Sequence, residues 1–326
     1  MIYSYLERGV NVILKSRVES CELLILRSLN ARTELDADWL NRLANAEKGY
    51  EGECAFDEWT GAVSGDVVVL QDLLLDCRST TFQIDSLMLM RNDIYLFEVK
   101  NSEGDFLIDD ERWLSCLTGK EINNPLIQLK RTESSFRRLL QEHGCRRPVK
   151  SFLVFINPEF QLYQAPSTLP AIFHSQLPRF FAGIKNRAMP AAGAQDAASN
   201  AALALAEKLN TLHITDNPYK RLPEYNYETL RKGVLCPSCE RFYVFEQSRR
   251  FLICHGCGKR ESNPAAVLRS VNEFQLLFPS LPVTVRIIYE WCGNAFSRKV
   301  IQKTLQSHYV MRGETKAAYY EEKKEN

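Results

Sequence analysis

The stretch "QIDSLMLMRNDIYLFEVK", from Gln83 to Lys100, constrains the fold more than any other part of the chain. Its apolar residues run up to and away from a polar centre, which predicts two strands joined by a tight turn. With Asn92-Asp93 as a two-residue turn, Asp85 falls opposite Lys100 and Leu87 opposite Glu98. Side chains alternate between faces along a strand. Leu87, Leu89, Ile94 and Leu96 therefore share one face, and Met88, Met90, Tyr95 and Phe97 the other. Both faces are apolar near the turn, so the pair needs other elements packed on each side of it. The same period puts Asp85, Glu98 and Lys100 on one face at the end far from the turn, at the mouth of a buried sheet.

The flanking segments supply the covering layers. "AEKGYEGECAFDEWT" reads as a helix carrying Glu51 and Glu53, and "DVVVLQDLLLD" as a strand, or two with a turn. "NNPLIQLKRTESSFRRLLQEHG" reads as a helix with Asn124 as N-cap, Pro125 at the first helical position and Gly144 at the C-terminal cap. "VKSFLVFINP" is a buried strand stopped by Asn157-Pro158. Beyond Pro158 the patterns weaken, although the second half of the Ala-rich stretch "AMPAAGAQDAASNAALALAEKLN" has helical character. The first 45 residues read mostly as helix, with Leu23, Leu24, Ile25 and Leu29 as a packing stripe.

Two carboxylates as close as Asp85 and Glu98 repel, and burial raises their pKa values. A divalent cation with oxygen ligands would resolve the conflict, could lower the pKa of a bound water and could polarise a phosphoryl oxygen. Lys100 beside it could orient the attacking water and offset charge in the transition state. On these residues alone, a cross-strand ion pair on a solvated sheet end accounts for the pattern equally well.

The order "GYEGE" at 49–53, "QID" at 83–85, "EVK" at 98–100 and "NPLIQ" at 124–128 resembles the nuclease-related domain, or NERD, of the PD-(D/E)xK nuclease superfamily. The resemblance covers residues 46 to about 157. It implies a mixed sheet flanked by helices and metal-dependent phosphodiester cleavage. It also implies Asp85 and Glu98 as ligands of Mg²⁺ or Mn²⁺, Lys100 as the catalytic lysine, Glu53 as a supporting carboxylate and Gln128 as a polar site residue. Glu51 is the rival to Glu53, because residues two apart on a helix point to different faces. Gln83 shares the face of Asp85 and joins the candidates.

"CPSCERFYVFEQSRRFLICHGC" places Cys236, Cys239, Cys254 and Cys257 in a C-x2-C-x14-C-x2-C pattern, with the intervening segment reading as a hairpin. Four thiolates close a tetrahedral Zn²⁺ site with no open position, so the expected role is structural, in a zinc ribbon. Two redox dithiols or a rubredoxin-type iron site are the alternatives. His255, inside the second knuckle, is expected to face solvent. The six other cysteines are scattered, and the N-terminus shows no secretory pattern, so reduced thiols in the cytoplasm are expected. No apolar run approaches the length of a membrane span.

The last segment predicts a helix, a Gly293-Asn294 turn and a second helix N-capped by Ser297, with Val300, Ile301 and Leu305 inward and Arg298, Lys299 and Lys303 outward. This is the pattern of a helix-turn-helix or winged-helix unit, or of an ordinary helical pair. Tyr319-Tyr320 and "EEKKEN" read as a frayed end.

Charge is uneven. Residues 231–326 hold 16 Lys+Arg against 9 Asp+Glu, a net of +7, which leaves −6 for the remainder of a chain whose total is +1. An acidic body with a basic end suits a nuclease site joined to a nucleic-acid grip. The candidate contacts are Arg249, Arg250, Lys259, Arg298, Lys299 and Lys303.

The predicted organisation is α/β: a PD-(D/E)xK-like mixed sheet flanked by helices at 46–215, a helical extension at 1–45 before it and a linker at 216–233 after it. A small zinc ribbon at 234–262 and a helical module at 265–320 follow. The predicted function is metal-dependent nuclease, with DNA as the first substrate candidate. Two rivals stand beside it: a nucleic-acid-binding protein that keeps the fold without cleaving, and an adaptor recruiting a protein partner through the C-terminal half.

Overall fold

The computed structural model describes residues 11–188, 197–215, 217, 220–243, 251–314 and 318–323. In chain order, the first elements are β1 (Val12–Lys15), α1 (Cys21–Arg32), α2 (Ala37–Gly61), β2 (Val67–Cys77), β3 (Thr80–Met90) and β4 (Ile94–Lys100). There follow β5 (Gly104–Asp109), β6 (Arg112–Ser115), β7 (Glu121–Ile122), α3 (Pro125–Glu142), β8 (Val149–Phe155), β9 (Phe160–Tyr163) and β10 (Ala171–Phe173). Then come α4 (Leu177–Ala188), α5 (Ala197–Thr211), β11 (Phe251–Ile253), β12 (Arg260–Ser262) and α6 (Asn263–Leu277). The chain ends with α7 (Val285–Trp291), α8 (Arg298–His308), β13 (Tyr309–Arg312) and β14 (Tyr319–Glu322). These elements form two compact units, residues 1–19 with 45–219 and residues 20–44 with 220–326.

The first unit is a mixed six-stranded sheet in the order β1-β2-β3-β4-β8-β10, with a four-stranded sheet β7-β6-β5-β9 beside it. β2, β3 and β4 run antiparallel, and β1, β8 and β10 pair parallel to their neighbours. The hairpin is buried on both faces, as its composition predicts. Leu87, Leu89, Ile94 and Leu96 pack with Leu129 and Phe136 of α3 and Leu203 of α5. Met88, Met90, Tyr95 and Phe97 pack with Phe56 of α2 and Phe181 of α4. α3 starts as its sequence requires: the Asn124 side chain accepts from Leu126 N at 2.9 Å and Pro125 follows it.

Two expectations need correction here, and one open alternative is decided. The turn is Arg91-Asn92 rather than Asn92-Asp93, because Leu87 pairs with Leu96 and Met90 N bonds Asp93 O. The register therefore slips by two residues, an even number, and the faces keep their composition. Val12–Lys15 is a strand, not helix: it extends the sheet edge beside Val68–Leu70, where β-branched and aliphatic residues find a parallel partner. "DVVVLQDLLLD" is one strand, yet it is irregular in the middle.

That irregularity is matched across β2 and β3. Leu70 and Leu73 both pack into the same core, as do Ile84 and Leu87, although three positions should invert a side chain. Pairing is in register on both sides, Gln71 with Ser86 and Leu73 with Ile84. Each strand thus carries one additional residue at this point, Asp72 on β2 and Asp85 on β3. Asp72 takes a φ of 54°, outside the extended region. The local break leaves ladder carbonyls to be satisfied otherwise, and the Lys15 ammonium donates to Gln71 O at 2.9 Å and Asp72 O at 2.7 Å.

In the second unit, α1, α6, α7 and α8 surround Phe274, Phe278 and Trp291, with Tyr225, Tyr227 and Leu230 of the predicted linker packed against them. β13 and β14 form a hairpin, and Tyr320 N also bonds Val283 O just ahead of α7. Tyr320 is buried, so Tyr319–Glu322, read as part of a frayed end, is a strand that closes the core; residues 324–326 lie outside the described residues. Three helices, a bridging residue before the second and a terminal hairpin are the layout of a winged helix. Among the described residues, no helix is long and apolar enough to cross a membrane.

Candidate functional site

Side chains from α2 and from β2, β3 and β4 converge at the break. Asp85 is 6% exposed and Glu98 1% exposed. Asp85 Oδ2 accepts from Val99 N at 2.7 Å, so the carboxylate is tied to the neighbouring strand. Burial, then the nearby Glu98 and Glu53, push Asp85 well above the usual carboxylate range. Lys100, at the end of β4, donates to Glu98 Oε1 at 2.8 Å and to Gln128 Oε1 of α3 at 3.1 Å. Among the described residues, Glu98 Oε2 is buried without a hydrogen-bond partner.

On α2, Glu51 points to solvent and Glu53 is the carboxylate that enters the cluster. Burial is the first cause of a Glu53 pKa pushed up to about 7; Arg17 opposes it, and Asp72, Asp57 and Glu98 add to it. The helix can approach because position 52 is glycine. A Cβ there would run into the side chain of Asn101, 2.9 Å from its Cγ and nearer still to its Cβ. Asn101 Nδ2 in turn donates to Lys48 O on the same helix at 2.8 Å. Gln83 is exposed, and its amide donates to Asp72 Oδ1 at 2.8 Å.

Sequence reasoning missed four residues. Arg17 donates to Glu53 and, through Nε, to Asp57 Oδ2 at 2.8 Å. It also reaches the carbonyl of Asp85 at 2.7 Å. Its own backbone N–H is held by Gln71 Oε1 at 2.9 Å. Asp57 lies one turn after Glu53, a spacing that could have marked it. Asp72 and Lys15 sit at the strand break, which carries no sequence pattern of its own.

The donor set is all oxygen, with one buried carboxylate oxygen unpaired and a second carboxylate held against its own charge by burial. That fits a hard divalent cation such as Mg²⁺ or Mn²⁺. The residues that would hold it are Asp85 and Glu98.

In the second unit the four predicted cysteines come together. Their sulfurs lie within 4.8 Å of one another, with Cys236–Cys257 at 3.6 Å and Cys239–Cys254 at 3.5 Å. Tetrahedral zinc with bonds near 2.3 Å sets sulfurs about 3.8 Å apart, so the cluster fits that ion. The two knuckles repeat one geometry. Cys236 N bonds Arg241 O and Glu240 N bonds Cys236 O; Cys254 N bonds Lys259 O and Gly258 N bonds Cys254 O. Glu240 (φ 55°) and Gly258 (φ 73°) occupy equivalent left-handed positions. Burial would raise the Cys254 thiol, but backbone N–H donors from Cys257 and Gly256 and the thiols around it bring it down to about 6. His255 is exposed and stays outside the group. Strand pairing spans the second knuckle (β11 with β12) and a bridge spans the first (Leu235 with Phe242); the hairpin expected between the knuckles falls on residues 244–250, outside the described residues.

Ser297 caps α8 through Val300 N, with Ile301, Thr304 and Leu305 inward and Arg298, Lys299 and Lys303 exposed. Lys259 is exposed on the ribbon. Arg249 and Arg250 lie outside the described residues.

Comparison with known proteins supports the first unit's assignment. Residues 48–156 match the family model of the nuclease-related domain, NERD, over about a third of the chain. No curated protein matches the chain, and neither does any solved structure.

Proposed function

We propose that this nuclease-related domain is a divalent-metal-dependent nuclease that hydrolyses phosphodiester bonds, with DNA as the first candidate substrate. The observation that carries the reading is the buried pair Asp85 and Glu98, with one oxygen unpaired and Lys100 bonded beside it. A bound Mg²⁺ or Mn²⁺ supplies Lewis acidity toward a phosphoryl oxygen and a more acidic water. Asp85 and Glu98 would hold the ion. Lys100 is fixed between Glu98 and Gln128, where its ammonium can orient a water and stabilise negative charge gathering on phosphate. Glu53 sits behind them, with a pKa near 7 that lets it accept a proton at neutral pH. The ribbon is read as a structural Zn²⁺ site. The exposed face of α8 is read as the nucleic-acid grip, through Arg298, Lys299 and Lys303. Cysteines gathered as a metal site rather than paired in disulfides suit a reducing compartment, and the cytoplasm is the location proposed.

The test is cleavage of linear, circular and single-stranded DNA and of RNA, with Mg²⁺ or Mn²⁺ and with excess chelator. Asp85→Ala and Lys100→Ala should each lower the rate by about 100-fold or more, while nucleic-acid binding persists. Cleavage in excess chelator, or a fully active Asp85→Ala, would overturn the reading.

A further inference from the structure

Arg17 lies outside the matched segment, on the chain between β1 and α1, yet it is among the most committed side chains of the site. It is 3% exposed. Nε and one terminal nitrogen grip both oxygens of Asp57, at 2.8 Å and 3.3 Å. That same nitrogen donates to Asp85 O at 2.7 Å, and the other terminal nitrogen donates to Glu53 Oε2. A guanidinium has five N–H groups in a rigid fork, and here four bonds reach a helix and a strand at once.

The two carboxylates on α2 therefore share one fixed, always-charged group. Of the strand carboxylates, Glu98 meets Lys100 through Oε1 alone, and among the described residues its Oε2 is buried without a partner. Lys15 spends its bonds on main-chain carbonyls, and Gln83 serves Asp72. An ion drawn to Glu53 and Asp57 would have to displace Arg17 and leave a buried cation beside it, which is unfavourable.

We infer that Arg17 takes the place of a second metal ion: the site binds one divalent cation, on Asp85 and Glu98, and Glu53 is a salt-bridge acceptor rather than an ion ligand. This rests on the metal-dependent reading above. Arg17 then acts as a positioning residue, since it touches the carboxylates and not the reacting phosphate.

The test counts Mn²⁺ bound per chain by electron paramagnetic resonance, in full-length, zinc-loaded protein at saturating Mn²⁺. Wild type should bind one ion, Asp85→Asn none, and Glu53→Gln still one, with affinity lowered by no more than about 100-fold as for an outer-shell change. Arg17→Met should bind two, because Glu53 and Asp57 lose their cation. Two ions in wild type, or none in Glu53→Gln, would overturn the inference, as would a folded Arg17→Met that binds one ion with unchanged affinity. Should circular dichroism show Arg17→Met unfolded, the counts for wild type and Glu53→Gln decide alone. Absence of binding in wild type, or unchanged binding in Asp85→Asn, is a different failure, because it removes the ion site itself.

Discussion

The carboxylate cluster of the first unit and the thiol cluster of the second are built in opposite ways. The thiols come from one short stretch, Cys236 to Cys257, and two copies of one knuckle geometry bring four sulfurs within 4.8 Å. The carboxylates come from separate elements: Glu53 and Asp57 on α2, Asp72 on β2, Asp85 on β3 and Glu98 on β4. Among the described residues only the thiols gather as closely as that. The physical reason is charge. Thiols can approach in their neutral form, whereas carboxylates repel and must be desolvated, neutralised or paired before they can sit together. Here Arg17 pairs two of them and burial holds the pKa of Asp85 high. The ribbon is thus a local solution and the carboxylate site a tertiary one, and each should fail in its own way.

The largest effect should come from the ribbon. Elemental analysis should find one zinc per chain in wild type, and Cys236→Ser should abolish it and unfold the region 234–262, since structural zinc supplies roughly 10–16 kcal/mol of apparent binding energy to peptides that fold around it. Near-complete cleavage by a protease within that region, with the first unit intact, is the expected pattern. Native zinc content in the variant would end the local description.

The carboxylate site should be sensitive to backbone approach instead. Gly52→Ala adds a Cβ where Asn101 leaves no room. The helix must move, at a cost of about 1–3 kcal/mol by overpacking, and Glu53 moves with it. A drop in the denaturation midpoint together with slower cleavage is expected. Unchanged values for both would show that the helix is not held at that distance.

A smaller effect concerns the basic face of α8. Changing Arg298, Lys299 and Lys303 together to Gln should flatten the slope of log affinity against log salt for duplex DNA by about 2–3 units, since each phosphate contact contributes close to one. A salt titration measures it, with Lys100→Ala in the background so that substrate survives. An unchanged slope would remove α8 from the interface.

The smallest is a pH effect on the protein without added Mg²⁺. Glu53 keeps its proton up to about pH 7 in the folded chain, well above the unfolded carboxylate. Between those values the folded state binds more protons, so stability falls as pH rises through the window. The fall is expected at about 1–2 kcal/mol between pH 5 and 7, and smaller in Glu53→Gln. Urea titrations at both pH values check the sign; stability rising with pH in wild type but not in Glu53→Gln would reverse it.

Much of this architecture could be read from residues alone, wherever neighbours along the chain decide the outcome. The hairpin's two apolar faces require cover on both sides, and both cores supply it. Asn124 and Ser297 start their helices by accepting bonds from backbone N–H groups within three residues, and Pro125 by its fixed φ at the first helical position. Paired C-x2-C knuckles bring their own sulfurs together. The turn falls on Arg91-Asn92 although local turn chemistry favours Asn92-Asp93, because pairing along the whole strand outweighs the choice of turn residues. Tyr320 could be told from a frayed residue only by the core it closes. Grouping Asp85, Glu98 and Lys100 needed only the strand period. Arg17 and Lys15 left no trace in the sequence. Arg17 acts across 36 residues to Glu53 and 68 to Asp85. Lys15 serves carbonyls freed by a strand break that no residue pattern announces. Local pattern determined that Asp85 and Glu98 share the sheet mouth; the fold added Asp57 and Asp72 and decided which cations stand beside them, because compensating a buried charge depends on distance in space and not along the chain.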